Sequence, residues 1–153
     1  MKRIKLFPLL LCFVVLISFS ACKEEEEAPR ITDIIQEANS VYINDKKVET
    51  VEASLGAFQG KQGDYIEFRF DAEKEINTFF ITEKTTSVRQ FNIYAEIDGK
   101  LTLIYTGKHI FQENIVVDTV TATAIRVEIV NTEIGNDKFI IQGINAYNIQ
   151  KEN

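Results

Sequence analysis

The 153-residue chain contains no tryptophan, one histidine, one methionine, two cysteines and two prolines. Each shortage removes a class of chemistry. One histidine cannot build a multi-histidine metal centre, and it leaves little room for Cys–His or histidine-triad nucleophiles. Basic residues number 17 against 23 acidic ones, a net charge of −6. That balance argues against a nucleic-acid partner, because a phosphate backbone selects a basic face. What is present is an ordinary globular mixture, 45% hydrophobic and 26% charged. The length allows one domain of usual size.

The first residues read as a targeting segment. Lys2, Arg3 and Lys5 form a basic head, and Leu6 to Phe19 is apolar apart from Ser18. This run is shorter than the roughly 20 residues that span a bilayer as a helix. Phe19-Ser20-Ala21-Cys22 follows, so residues 1–21 are expected to be a signal peptide. The small residues before Cys22 resemble the bacterial lipobox, in which the cysteine is lipidated and becomes the mature N-terminus. Phe19 stands where leucine is usual, and the plainer alternative is an ordinary signal peptide with a chance cysteine. Lipidation at Cys22 would anchor the chain in a membrane without a spanning helix. Cys12 would leave with the leader, so the exported domain would hold no disulfide. Residues 22–30 then form a tether. Its Lys-Glu-Glu-Glu-Glu-Ala-Pro-Arg run, residues 23–30, is self-repelling and solvated. It also resembles the surface-export signals of some Gram-negative lipoproteins. The expected location is the outer membrane, surface-exposed, with a periplasm-facing orientation as the alternative.

Residues 31–153 read as one all-β domain. Ile66, Phe68 and Phe70 alternate with Tyr65, Glu67 and Arg69, and Phe91, Ile93, Ala95 and Ile97 alternate with Gln90, Asn92, Tyr94 and Glu96. Period-two patterning predicts strands near 65–70, 76–82, 89–97, 101–106, 114–118, 124–130 and 139–149. Asp98-Gly99 predicts a two-residue hairpin turn, and Gly143 predicts a bulge in the last strand. Before residue 64, Ile31, Ile34, Ile35 and Ala38 fit a short helical face capped by Thr32 or Asp33. Val41–Ile43 and Val48–Leu55 predict strands, and the glycines 56, 60 and 63 predict a loop. Short strands between turns indicate an antiparallel sandwich.

Five segments stand in a telling order. They are Glu83; Val-Arg-Gln-Phe-Asn-Ile-Tyr at 88–94; Asp98-Gly99-Lys100; Ile-Tyr-Thr-Gly-Lys-His-Ile at 104–110; and Val-Thr-Ala-Thr-Ala-Ile-Arg-Val-Glu-Ile at 120–129. The pattern is similar to galactose-binding-like jelly rolls, namely the discoidin or coagulation-factor type C domains and the C-terminal sandwich of α-L-fucosidases. It covers about residues 64–149. The resemblance implies an antiparallel jelly-roll β-sandwich and, by extension, a non-catalytic binding module. Some features of those domains are missing. The early Asp-Gly-x-x-Thr-x-Trp element is absent. The loop from Lys84 to Ser87 lacks the sugar-binding Arg and Asn of family 32 carbohydrate-binding modules, and the chain has no room for a fucosidase catalytic domain.

Strand alternation places the loops at 56–63, 83–88, 107–112 and 132–138 at one end of such a sandwich. The loops at 71–75, 98–100 and 119–123 fall at the other. The first end gathers the candidate ligand-binding residues Phe58, Glu83, Lys84, His109, Phe111, Asn136 and Asp137, with Gln59, Lys61 and Lys138 beside them. Rings together with polar side chains suit a sugar; the alternative is that Phe58 and Phe111 fold inward as core. Glu83 and Arg89 flank a short loop and are expected to form a structural ion pair. No two carboxylates are legibly paired as a glycosidase needs, so no catalytic residue and no cofactor is expected. Calcium is common in the resembling fold. Asn44, Asp45 and Asp64 are the side chains that could ligate it, without EF-hand spacing. The function expected is glycan binding or adhesion, the alternative a scaffolding subunit that docks another envelope protein.

Overall fold

A computed structural model describes residues 31–150; the leader, Cys22 and the acidic tether lie outside the described residues. Eight strands follow in chain order: β1 (Ser40–Ile43), β2 (Lys46–Val48), β3 (Phe58–Lys61), β4 (Tyr65–Glu83), β5 (Val88–Ile97), β6 (Lys100–Gly107), β7 (Ile115–Thr132) and β8 (Lys138–Tyr147). All pairings are antiparallel.

β4 and β7 each serve two sheets. The first half of β4 lies between β1 and the second half of β7, with Phe68 opposite both Val41 and Ile125. Its second half pairs with β8, Ile81 opposite Ile144, and with the start of β7, Phe79 opposite Ile115. Between the halves the register jumps: Arg69 faces Ala124, but the next pair is Lys74 with Ala122. Phe70 to Glu73 thus stand against the single residue Thr123. That excess lets β4 turn the corner from one sheet to the other. This is why the separate strands expected at 65–70 and 76–82, and at 114–118 and 124–130, are joined as two long ones. The order β2-β1-β4-β7-β5-β6, with β8 and β3 completing the second layer, is the antiparallel β-sandwich that the alternation indicated, and the jelly roll that the resemblance implied.

The layers close on an apolar interior. Ile66, Phe68, Ile76, Phe79, Ile93, Ile125, Val127, Ile129 and Ile144 are fully buried. Each such side chain contributes about 1.5–3 kcal/mol of transfer free energy. Asp98 and Gly99 both take positive φ, 52° and 72°, as a type I′ hairpin requires. The irregularity in β8 falls at Gln142: Thr82 faces Gly143 while Glu83 faces Ile141. The bulge therefore sits beside the glycine rather than on it.

The N-terminal part forms the expected capped helical face and departs from expectation in two places, over Val48–Leu55 and in the glycine loop. Asp33 caps a 3-10 turn, Ile34–Glu37, by accepting from Ile35 N at 3.2 Å, and its carboxylate also accepts from Ala146 N at 3.0 Å. The strand expected over Val48–Leu55 ends at Val48. Val51–Ser54 is instead a single helical turn capped by Thr50, whose Oγ1 accepts from Ala53 N at 3.1 Å; a threonine at this position favours the helix start over a continued strand. The expected glycine loop contains edge strand β3, paired with β8. Gly56 and Gly63 bracket it at φ 78° and 89°. At Gly60 a Cβ would come within 2.5 Å of the Asp64 carboxylate and 2.9 Å of the Phe139 ring, so a side chain there would force both to shift.

Candidate functional site

Three connections are bound together at one end of the sandwich. Gln62 N donates to Asp137 O at 3.2 Å, Lys84 N to Ile140 O at 2.8 Å, and Glu133 N to Ser87 O at 2.8 Å. Ser87 Oγ donates to Lys138 O at 2.9 Å. The segments 61–64, 83–88 and 132–138 thus form one hydrogen-bonded rim rather than three loose loops.

Glu83 organises this rim from inside. Its carboxylate is buried and Oε1 accepts from Thr85 Oγ1 at 2.6 Å, Ser87 N at 2.7 Å, Ser87 Oγ at 3.0 Å and Val88 N at 3.1 Å. The expected Glu83–Arg89 ion pair is not formed. Donors within the loop reach the carboxylate first. Arg89 points the other way, to Glu133 at 2.9 Å and to the carbonyl of Thr86 at 2.9 Å. Thr86 itself sits at φ 54°, a strained conformation for a β-branched residue that this wrapping holds.

Against the rim lies a cavity of about 510 Å³ whose lining includes Gln59, Lys61, Thr85, Asn136, Asp137 and Lys138, with Phe139 and Ile140 behind them. Its apolar lining comes chiefly from Ile140, since Phe139 is buried behind it, and its walls carry amides, a hydroxyl, ammonium groups and carboxylates. Cross-strand register aligns the wall: Gln59 faces Ile140 and Lys61 faces Lys138. Asp64 also lines it. Its Oδ2 accepts from Lys61 N at 2.8 Å and its Oδ1 from Asn44 Nδ2 at 2.8 Å.

Among the residues expected to bind ligand, Asn136 and Asp137 line the cavity. Lys84 lies on the rim with an exposed side chain, while Glu83 is committed to its loop. Phe58 is buried and packs edge-on against Phe139 at 5.1 Å, so it is core. β3, unrecognised in the sequence, turns that side chain inward and Gln59 and Lys61 outward. The rings of His109 and Phe111 pack against each other tilted by 57°, centroids 5.5 Å apart, and Phe111 is 60% exposed. They sit on the connection from β6 to β7 and do not line the cavity. Thr85, Phe139 and Ile140 were not expected at the site; the pairing of Lys138–Ile141 with β3 puts the last two there.

The calcium candidates do not form a ligand set. Asn44 and Asp64 bond each other, and Asn44 Oδ1 accepts from Tyr65 N at 3.0 Å. No group of three or more His, Cys, Asp or Glu among the described residues is placed to hold a metal ion.

A second polar array covers the outer face of the first sheet. Glu67 is buried, and its carboxylate bridges Arg69 Nε and Arg126 Nη2, each at 2.6 Å. The guanidinium of Arg126 lies 4.0 Å from the Tyr65 ring centroid and that of Arg69 4.6 Å from Tyr42. Beside them Tyr94 donates to Glu128 at 2.9 Å and accepts from Asn92 Nδ2 at 3.0 Å. Desolvation pushes the Tyr94 phenol above its ordinary pKa, and the Glu128 carboxylate adds to the shift.

No protein-family model matches the sequence, and no curated protein matches it. Solved structures share the fold. A family 32 carbohydrate-binding module of Streptococcus pneumoniae EndoD superposes with a TM-score of 0.62 at 14% identity, over 76% of this chain and 99% of that one. A family 32 module of C. perfringens NanJ, solved in complex with galactose, gives 0.60 at 15% identity, over 77% and 99%. A Bacteroides ovatus protein classed as an alpha-L-fucosidase gives 0.54 at 20% identity over 65% of this chain. This chain spans only 18% of the length of that protein. The described domain has the galactose-binding-like, discoidin-type β-sandwich fold.

Proposed function

We propose that this chain is a non-catalytic glycan-binding module of a cell-envelope lipoprotein, and that the cavity at the hydrogen-bonded rim is its sugar site. The observation that carries the reading is the composition and rigidity of that cavity. Ile140, half-buried on the same face of β8 as Lys138, offers apolar surface to the C–H side of a sugar, with the buried Phe139 behind it. Gln59, Thr85, Asn136 and the two lysines offer donors and acceptors to hydroxyls. Glu83 holds Thr85 and the loop around it in place before any ligand arrives, which lowers the entropic cost of binding. Asp64 is occupied by an amide and a backbone N–H, so it is poorly suited to act with Asp137 as an acid–base pair, in keeping with binding rather than hydrolysis.

The modules solved with sugars support the same reading through fold alone. The leader-like residues 1–21 and Cys22 support anchoring of the acidic tether and domain to the outer membrane, facing outward. Cys22→Ala is expected to move the protein from the detergent to the aqueous phase on partitioning; a variant that stays in the detergent phase removes the lipid anchor.

The direct test is a glycan array probed with the full-length protein in detergent. Binding to a defined set of glycans, weakened by about tenfold in Asn136→Ala, is the expected result. A protein that binds no glycan overturns the reading. A specific observation would then favour a protein partner: edge strand β6 presents Leu101 and Leu103, 37% and 51% exposed, beside backbone groups without a strand neighbour on that side.

A further inference from the structure

The cavity wall carries a charge arrangement that folding alone does not favour. Lys61 and Lys138 are direct cross-strand partners in the β3–β8 pair, so their side chains leave the same face. Like charges placed directly opposite each other destabilise a strand pair. Neither lysine has a carboxylate within ion-pair distance among the described residues, although the chain is acidic overall; those pairs are made by Lys47, Lys74, Arg69, Arg89 and Arg126. The acids around the rim are committed elsewhere. Glu83 is closed inside its loop, Glu133 is held by Arg89, and Asp64 accepts from Asn44 and from the backbone of Lys61. Asp137 is the one rim carboxylate in the lining with no such engagement among the described residues.

Resting on the rim reading above, we infer that the site takes an acidic glycan, with Lys61 and Lys138 converging on an anionic group of one sugar while Ile140, on the same face, meets its ring. Two ammonium groups opposed across a strand pair repel until an anion lies between them. Charge-assisted hydrogen bonds to such a group are stronger than those to a neutral hydroxyl. A cavity of about 510 Å³ lies in the range of sites that enclose small ligands. Asp137 sets the counter-field and limits affinity.

The experiment is an array carrying uronate-containing, sialylated, sulfated and neutral glycans, probed with full-length protein in detergent as wild type, Lys61→Ala, Lys138→Ala, Asp137→Asn and Lys100→Ala. The expected binders carry an acidic group. Each cavity lysine variant weakens them by about tenfold, and added salt weakens them further. Asp137→Asn tightens them. Lys100→Ala removes the same charge from the distant hairpin and leaves binding unchanged. The thermal midpoints of Lys61→Ala and Lys138→Ala stay level or rise, because a repulsion has been removed. The uronate, sialylated and sulfated arms tell carboxylate from sulfate. Binders that are neutral only, insensitive to both cavity lysine variants, overturn the acidic preference and leave the rim reading standing. A protein with no binder in any arm overturns both.

Discussion

Two glutamates among the described residues are buried, and their hydrogen-bonding capacity is met by opposite means. Glu83 is satisfied by its own neighbourhood: hydroxyls and N–H groups of Thr85, Ser87 and Val88, all within five residues. Glu67 is satisfied by guanidiniums on the sheet surface, Arg69 on its own strand and Arg126 from β7. The first arrangement shapes a loop and the second clamps neighbouring strands. They also differ in what remains if the carboxylate is lost. Around Glu83 the orphaned groups are backbone donors with no route to water. Around Glu67 they are arginines whose side chains are 49% and 24% exposed and can rehydrate.

That difference sets the order of expected effects. Glu83→Ala leaves the N–H groups of Ser87 and Val88 unpaired in the interior, and a cost of about 3 kcal/mol is expected in chemical denaturation. The loss of glycan binding should accompany it, since Thr85 no longer has a fixed position. Glu67→Ala should cost about 1–2 kcal/mol, because its partners regain water, and it should leave glycan binding intact. Equal costs for the two variants would erase the distinction between loop and sheet carboxylates.

Much of this architecture was legible in the sequence. Period-two runs gave the core strands, Asp98-Gly99 gave the hairpin, and alternation gave the end of the sandwich where the rim lies. Other features were not legible, for physical reasons. The corner at Phe70–Glu73 reads as a break because a strand changing sheets exposes Asp71, Ala72 and Glu73, as a loop does. β3 is short and holds Gly60, a residue depleted in strands, yet suited to the close approach of Asp64 and Phe139 there. Missing β3 left the orientation of Phe58 open. The pairing of Glu83 with Arg89 was inferred from their spacing, which cannot show that four nearer donors compete for one carboxylate.

The smallest expected effect belongs to the outer face of the first sheet. The Tyr94 phenol, desolvated and bonded to Glu128, keeps its proton to higher pH when folded than the ordinary value of about 10. Its contribution to stability is therefore whole below that value and lost as pH rises through the folded pKa. Tyrosinate absorbance is free of tryptophan interference in this chain. Tyr94→Phe should remove signal that develops only above about pH 10. If it removes signal titrating at the ordinary value, the Glu128 network does not hold the proton.

The most direct measurement compares two variants at the same end of the sandwich, titrated with a glycan selected on the array. Asn136 lines the cavity, whereas Phe111 is an exposed ring packed at a tilt against His109 outside it. Asn136→Ala should weaken binding by about tenfold with an unchanged thermal midpoint, and Phe111→Ala should change neither quantity. Binding that survives Asn136→Ala but is abolished by Phe111→Ala would move the site to the β6–β7 connection and contradict the account.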